Sequence, residues 1–430
     1  MQRYEEYKDS EVELIGQIPN HWIIIKSKYI NNIYNGDSLN EAQKKKYEND
    51  NKNFLSYISS KDIDINFSTI NYNNGLRIPS CEPFKIAPQN TSLICIEGGS
   101  AGKKIAFTNQ NIFFVNKLAC FNTFKNTDAK YIYYSLKGAS FQTQFQNSMT
   151  GLIGGVSLSA LNNFILTLPP LREQKLIAKF LDEKSEKINA AIITKEQQIE
   201  KLKELRQVTI HQAVTKGIQP HVDMKDSEID WIDKVPKHWK VKRLKYVFEI
   251  LKRISGELGH DVLSITQKGI KVKDITSGEG QLAMDYSKYQ FAYKGDFAMN
   301  HMDLLTGWVD ISSYNGVISP DYRVFSLIDK KNNPQYFLHL LQDCYRSKTF
   351  YAHGQGVSML GRWRFPTENF NNFYFPIPPI QEQKEIVNYL EKQTSKIDQA
   401  INQKTEQITK LKEYKQSLIN EIVMGKIKVT

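Results

Sequence analysis

The chain spells Ile18-Pro19-Asn20-His21-Trp22 near its start and Val235-Pro236-Lys237-His238-Trp239 past its middle, 217 positions apart (235 minus 18). Proline, histidine and tryptophan are infrequent, so their recurrence in one order marks an internal repeat, which constrains the fold before any local propensity does. The match extends both ways. Asp9-Ser10-Glu11-Val12-Glu13 aligns with Asp226-Ser227-Glu228-Ile229-Asp230, and Lys28-Tyr29 with Lys245-Tyr246. Further on, Leu168-Pro169-Pro170-Leu171-Arg172-Glu173-Gln174-Lys175 pairs with Ile377-Pro378-Pro379-Ile380-Gln381-Glu382-Gln383-Lys384, offset by 209 (377 minus 168). The chain is therefore two tandem copies of one unit, each with recurring ends and a variable middle.

Each Pro-Pro predicts the start of a long helix. Proline fits a first helical turn, and Glu173 or Glu382 suits the positive end of the dipole. No Gly or Pro interrupts Leu171 to Lys216, or Ile380 to Met424. Leu181, Ile188, Ile192, Ile199, Leu202, Leu205 and Ala213 form a narrow stripe, and adding 209 gives Leu390, Ile397, Ile401, Ile408, Leu411, Tyr414 and Ile422. A stripe of this kind must be buried against another helix. Connectivity favours the duplicate helix as partner, which gives an antiparallel intramolecular coiled coil with an approximate two-fold axis. A homodimer is the alternative.

The middles read as mixed α/β, with strands expected at Ser92–Ile96, Lys104–Phe107, Asn111–Val115, Gly307–Ile311 and Tyr322–Phe325. A helix follows in each copy, over Asp128–Leu136 and Asn333–Leu341, with Asp128 and Asn333 as N-caps and Pro334 at the first helical position. The fold class is α+β.

Composition narrows the function classes. A 430-residue chain with 40% apolar residues builds real cores. The polar, acidic start predicts no signal peptide, and no apolar run is long enough to span a bilayer. Cys81, Cys95, Cys120 and Cys344 stand apart and read as buried free thiols in a reducing cytoplasm. A formal charge of +11 favours a polyanionic partner.

Catalytic patterns fail one by one. Gly98-Gly99-Ser100-Ala101-Gly102-Lys103-Lys104 has Glu97 where a phosphate loop needs glycine, and Lys104 where it needs Ser or Thr. Asn333-Pro334-Gln335-Tyr336 approaches a methyltransferase loop, but its repeat partner is Asp128-Ala129-Lys130-Tyr131, a helix start. Glu413-Tyr414-Lys415 lies on the coil, with Tyr414 expected on the buried stripe. The eight histidines form no ligand array. No metal site, cofactor site or catalytic set is predicted. Recognition remains: Lys44, Lys45, Lys46, Lys103, Lys104, Arg253, Arg362 and Arg364 are the candidate DNA contacts, since Lys meets phosphate and Arg reads guanine. Surface lysine runs are also common solvated faces, and Trp363 between the two arginines also fits a core position.

This arrangement resembles the DNA-specificity subunit of type I restriction-modification systems. The resemblance rests on Pro19, His21, Trp22, Pro169, Pro170, Glu173 and Gln174, and on Pro236, His238, Trp239, Pro378, Pro379, Glu382 and Gln383. Gly154-Gly155-Val156-Ser157 and Gly356-Val357-Ser358 look like the family's domain ends. It implies a target recognition domain over 1–168, a central helix over 169–217, a second recognition domain over 218–377 with a linker at 218–230, and a C-terminal helix over 378–430. Each recognition domain would read one half of a bipartite, asymmetric site on double-stranded DNA, with the coil length setting the spacer. Two modification subunits would dock and carry S-adenosylmethionine. Two restriction subunits could join them, bringing ATP and Mg. This chain would hold no cofactor, catalyse nothing and act in the cytoplasm. A coiled-coil scaffold without sequence-specific DNA contact is the competing reading.

Overall fold

The computed structural model describes residues 2–151, 154–275, 285–356 and 363–429. The chain forms two compact units, Met1–Glu196 with Thr405–Thr430, and Gln197–Lys404. Each unit owns one end of both long helices, so the divide falls inside the helices rather than at the Pro-Pro turns.

In the first unit, strands Tyr7–Asp9 and Gln17–Pro19 form a hairpin that delivers the fully buried Trp22. Strand Ile23–Lys26 then pairs antiparallel with Ile165–Leu168, which joins the beginning of the domain to its end beside the Pro-Pro turn. A four-stranded sheet follows in the order Asn31–Asn35, Leu118–Thr123, Ser92–Cys95, Ile105–Phe107. A second runs Arg77–Ile78, Leu55–Ile58, Ile112–Phe114, Ile86–Ala87. Helix Ala129–Lys137 covers the first sheet, and Asp128 caps it by accepting from the Tyr131 amide. The main core joins Trp22, Phe121, Tyr131, Phe141 and Phe145 to Leu181, Leu418 and Ile422 of the long helices.

The second unit repeats this plan. Met224–Ile229 pairs with Ile232–Pro236, so the stretch read as a linker carries a strand, held by buried Ser227 and Ile229. Lys240–Arg243 pairs with Tyr374–Ile377. The main sheet keeps its order: Phe248–Leu251, Arg323–Leu327, Phe297–Met299, Val309–Ile311. Helix Pro334–Arg346 starts at the Asn333 cap with Pro334 in its first turn. The second sheet keeps this plan with a weaker middle link. Leu263–Thr266 pairs with Gly269–Val272 and Gln290–Ala292 with Gly316–Ile318, and a single parallel bridge, Val262 to Val317, joins the two pairs where the first unit has a two-residue parallel ladder.

The central helix spans Leu171–Lys216 and the C-terminal helix Ile380–Val423. Buried and half-buried positions alternate in steps of four and three: 181, 185, 188, 192, 195, 199, 202, 206, 209 and 213 on one, and the same set plus 209 on the other. That is a heptad seam. Leu181, Ile188, Ile192, Leu390, Ile397 and Ile408 are buried on it; Ile199, Leu202, Ile401 and Leu411 are half-buried. Leu205 and Tyr414, expected on the stripe, are 51% and 50% exposed. Two successive steps of three carry a side chain about 120° off a stripe at about 100° per residue, and the seam continues through Arg206 and Lys415 instead. The pairing is antiparallel, since numbers fall on one helix as they rise on the other. In the first unit Lys195 donates to Gln407 and Lys415 to Asn189; in the second, Lys404 donates to Gln198 and Arg206 pairs with Asp398. Both intramolecular pairings leave the homodimer unneeded. Among the described residues no helix is long and apolar enough to cross a membrane. Cys95, Cys120 and Cys344 are buried, but Cys81, on a loop, is exposed.

Candidate functional site

Each repeated motif pair closes into one junction. In the first unit His21 Nε2 lies 2.8 Å from Glu173 Oε2, and the Tyr4 hydroxyl donates to the same carboxylate. Burial, reinforced by Glu173, pushes the Tyr4 phenol well above its ordinary pKa. In the second unit His238 Nε2 lies 2.7 Å from Glu382 Oε2, and Trp239 Nε1 donates to Glu382 Oε1 at 3.0 Å. Trp22 Nε1 has no such partner among the described residues, because Tyr4 occupies the carboxylate.

The neighbouring glutamines explain the rest of the motif. Gln174, buried, donates to Pro169 O at 2.8 Å and accepts from the Asp128 amide at 2.8 Å. Gln383 donates to Pro378 O at 3.0 Å and accepts from the Asn333 amide at 2.8 Å. One buried amide thus fixes both the Pro-Pro turn and the start of the helix that follows the main sheet, Ala129–Lys137 or Pro334–Arg346. A glycine completes each junction. Gly425 follows the C-terminal helix at φ +71 and packs on Pro19 and Trp22; Gly217 follows the central helix at φ +79 and packs on Trp239 and Pro236. Sequence reasoning missed both glycines, although their position just past two equivalent helices is a C-terminal cap signal. The histidines serve packing: each holds one half-buried glutamate at the start of a long helix.

The candidate DNA contacts are dispersed. Lys44, Lys45 and Lys46 form the last turn of helix Glu41–Lys46, which the Asn40–Gln43 capping box starts. Lys44 pairs with Glu41 at 2.6 Å and Lys46 with Glu82 at 3.1 Å, leaving Lys45 exposed. Lys103 and Lys104 sit on the tight turn joining two strands of the main sheet. Lys103 donates to Gly99 O at 3.4 Å, while Lys104 donates to Ser60 O at 2.6 Å. Among the described residues no hydrogen bond or ion pair links these two lysine groups. Arg253 is held by Asp296 at 2.6 Å and stacks over Tyr293. Arg364 is exposed, its backbone bridged to Gln355, and Trp363 packs on Tyr351. Arg362, with Val357 and Ser358, lies outside the described residues.

Further titratable groups escaped the sequence reading. His211 Nδ1 lies 2.9 Å from the buried Asp343, whose hydrogen bond raises the imidazole pKa above 6.5. Burial, then Arg323 and Arg364, lowers His301 to about 4. No group of three or more metal-ligating side chains occurs among the described residues.

The profile of the type I restriction modification DNA specificity domain matches residues 27–203 and again 236–410. The specificity subunit of the type I restriction enzyme MjaVIII from Methanocaldococcus jannaschii is 28% identical over 364 residues, covering 80% of each chain. The EcoBI specificity subunit of Escherichia coli is 21% identical over 450 residues, covering 98% of this chain and 90% of that one. A chain solved for the assembly and conformational transition of the type I R-M system shares the fold at TM-score 0.69 and 13% identity, over 95% and 99% of the two chains. The HsdS subunit from Thermoanaerobacter tengcongensis matches at TM-score 0.50 and 14% identity, over 95% and 98%. With two matched copies of the domain on a doubled junction and a shared coil, the chain belongs to the type I restriction modification DNA specificity family and is a specificity subunit.

Proposed function

We propose that the two variable middles each read one half of a bipartite, asymmetric site on double-stranded DNA, and that two modification subunits dock on the chain. The observation that carries this reading is a contrast inside the repeat. The junctions and the coil contacts recur position for position, whereas the loops do not: helix Glu41–Lys46 of the first unit has no counterpart among the described residues of the second. A shared frame with unlike reading surfaces suits two different half-sites. Arg364 is the candidate base reader, Lys45 and Lys103 are candidate phosphate contacts, and Arg362 belongs with them by sequence. Lys44, Lys46, Lys104 and Arg253 act mainly by shaping their loops, through the partners described above. S-adenosylmethionine would sit on the modification subunits, and ATP with Mg on any restriction subunits that join. The complex would work in the cytoplasm, where its DNA lies.

The test is a mobility shift of the chain, co-purified with its modification subunits, on genomic DNA fragments over a salt series. Retention of a subset of fragments that weakens steeply with salt supports sequence-specific reading. A complex that assembles but retains no fragment in preference to others would return the scaffold reading.

A further inference from the structure

A cleft of about 710 Å³ opens in the first unit, outside the junction. Its walls come from the turn at Asn66 and Ser68, helix Ala139–Asn147, and the C-terminal helix from Lys412 to Asn420. Lys103, Lys137, Lys412 and Lys415 line it, and no carboxylate does. Among the described residues their ammoniums hydrogen-bond to neutral oxygens only. Lys137 donates to Ser68 Oγ at 2.8 Å and Tyr133 Oη at 2.6 Å; Lys415 donates to Asn189 Oδ1 at 2.8 Å. Lys412 donates to Asn66 Oδ1 at 3.2 Å, and Lys103 to Gly99 O. The adjoining cleft, which Lys137 and Lys415 also line, carries two carboxylates: Asp182, taken by Lys130 and the Tyr134 hydroxyl, and Glu186.

Crowding buried cations is costly, and the lysines register it. Burial, then the Lys130 charge, draws Lys137 down to about 7 against the opposing pull of Asp182. Burial, then Lys137, draws Lys415 to about 8. A fold that needed these lysines only for packing would gain from replacing them with neutral side chains.

In the second unit Arg206, which stands where Lys415 does by the 209 offset, is paired with Asp398 and also stands by Arg346, whose pKa burial and then Arg206 lower to about 10. Counting six from the equivalent Tyr131 and Tyr336 places Gln342 where the first unit has Lys137, and it donates to Val309 O. Of the cleft's lysines, Lys137 thus has a neutral counterpart in the second unit and Lys415 a carboxylate-paired one.

We propose that this cleft binds the phosphate of a nucleotide unit, either in the DNA strand or in a free nucleotide. Several lysines converging as point charges suit tetrahedral phosphate oxygens. Gln142 and Gln146 add polar edges, and Ile65, Ile105 and Ile419 offer an apolar wall for a base. The volume lies within the about 300–1,000 Å³ of small-molecule sites. The site needs no base-specific readout, so it stands whether or not the two middles read unlike half-sites.

Calorimetric titration of the full chain with inorganic pyrophosphate tests it, beside Lys415→Gln, Lys412→Gln and, as control, Lys392→Gln on an exposed helix position. Wild type and K392Q should bind, and K415Q and K412Q should each bind about tenfold more weakly, the loss of one charged hydrogen bond. Lys412 is exposed, so its variant keeps the test open should K415Q fold poorly. A non-specific duplex oligonucleotide is then added. Displacement of pyrophosphate by duplex assigns the phosphate to DNA; pyrophosphate bound alongside duplex assigns it to a free nucleotide. No binding of pyrophosphate, or equal binding by K412Q, K415Q and wild type, overturns the proposal.

Discussion

The first unit ties its junction through Tyr4, His21 and Glu173, the second through His238, Trp239 and Glu382. The atoms differ, yet both solutions seat a buried tryptophan, one buried glutamine and one left-handed glycine in the same relation. The middles behave otherwise. Helix Glu41–Lys46 of the first unit has no counterpart among the described residues of the second, and the second sheet's central link shrinks from a two-residue ladder to a single bridge. Exchange of bonding partners is tolerated where geometry must be kept, and geometry itself changes where the two units have different work.

That contrast breaks first at the tryptophans. Trp22→Ala and Trp239→Ala each remove a fully buried indole, at a cost of about 3–5 kcal/mol. Both should lower the melting temperature by similar amounts; a large effect in one copy and none in the other would deny the shared frame. The buried glutamines come next. Gln174→Ala and Gln383→Ala strand a helix-start amide and a proline carbonyl, for about 1–3 kcal/mol each in thermal melts. If helices Ala129–Lys137 and Pro334–Arg346 keep full hydrogen-exchange protection in these variants, the role given to the amides is wrong.

The glycines separate the units more finely. Gly425→Ala places a methyl on the Pro19 ring as well as in the left-handed region, while the closest neighbour at Gly217 is a Glu382 oxygen at 3.1 Å. Strain alone costs about 1–2 kcal/mol, so Gly425→Ala should destabilise more than Gly217→Ala, by denaturant titration. Equal losses would mean that the close approach relaxes freely.

The smallest effect is a difference in pH response. His211 has its folded pKa raised, so its stabilisation is complete below about 6.5 and fades as pH rises through the folded value. Lys137 has its pKa depressed to about 7, so the first unit gains stability as pH climbs from there towards the ordinary lysine value. Above neutrality the two units should respond with opposite sign. Melts of His211→Gln and Lys137→Gln across pH 6 to 10 check this; each variant should flatten one contribution, and unchanged curves would refute the assignment.

Much of this was legible in the sequence because it is local. The repeat, both helix spans, the Asp128 and Asn333 caps and five strands follow from neighbours along the chain. The heptad register was harder. Leu205 and Tyr414 are apolar in composition but stand off the seam, while Arg206 and Lys415 stand on it through their aliphatic stems. The Gly425 contact with Pro19 and the lysine cleft join residues hundreds of positions apart, and no spacing rule announces them. Cys81 shows the same limit, since a lone thiol on a loop carries no sign of its exposure.

The most direct test sequences the methylated sites of a host carrying the modification subunits, with the whole chain and with a version in which the second middle is replaced by a copy of the first. Duplicated reading predicts one bipartite asymmetric motif with the native chain, lost without it, and a palindromic motif built from the first half-site in the replaced version. Methylation that is unchanged by removing the chain, or a replaced version that still yields the original asymmetric motif, would contradict it.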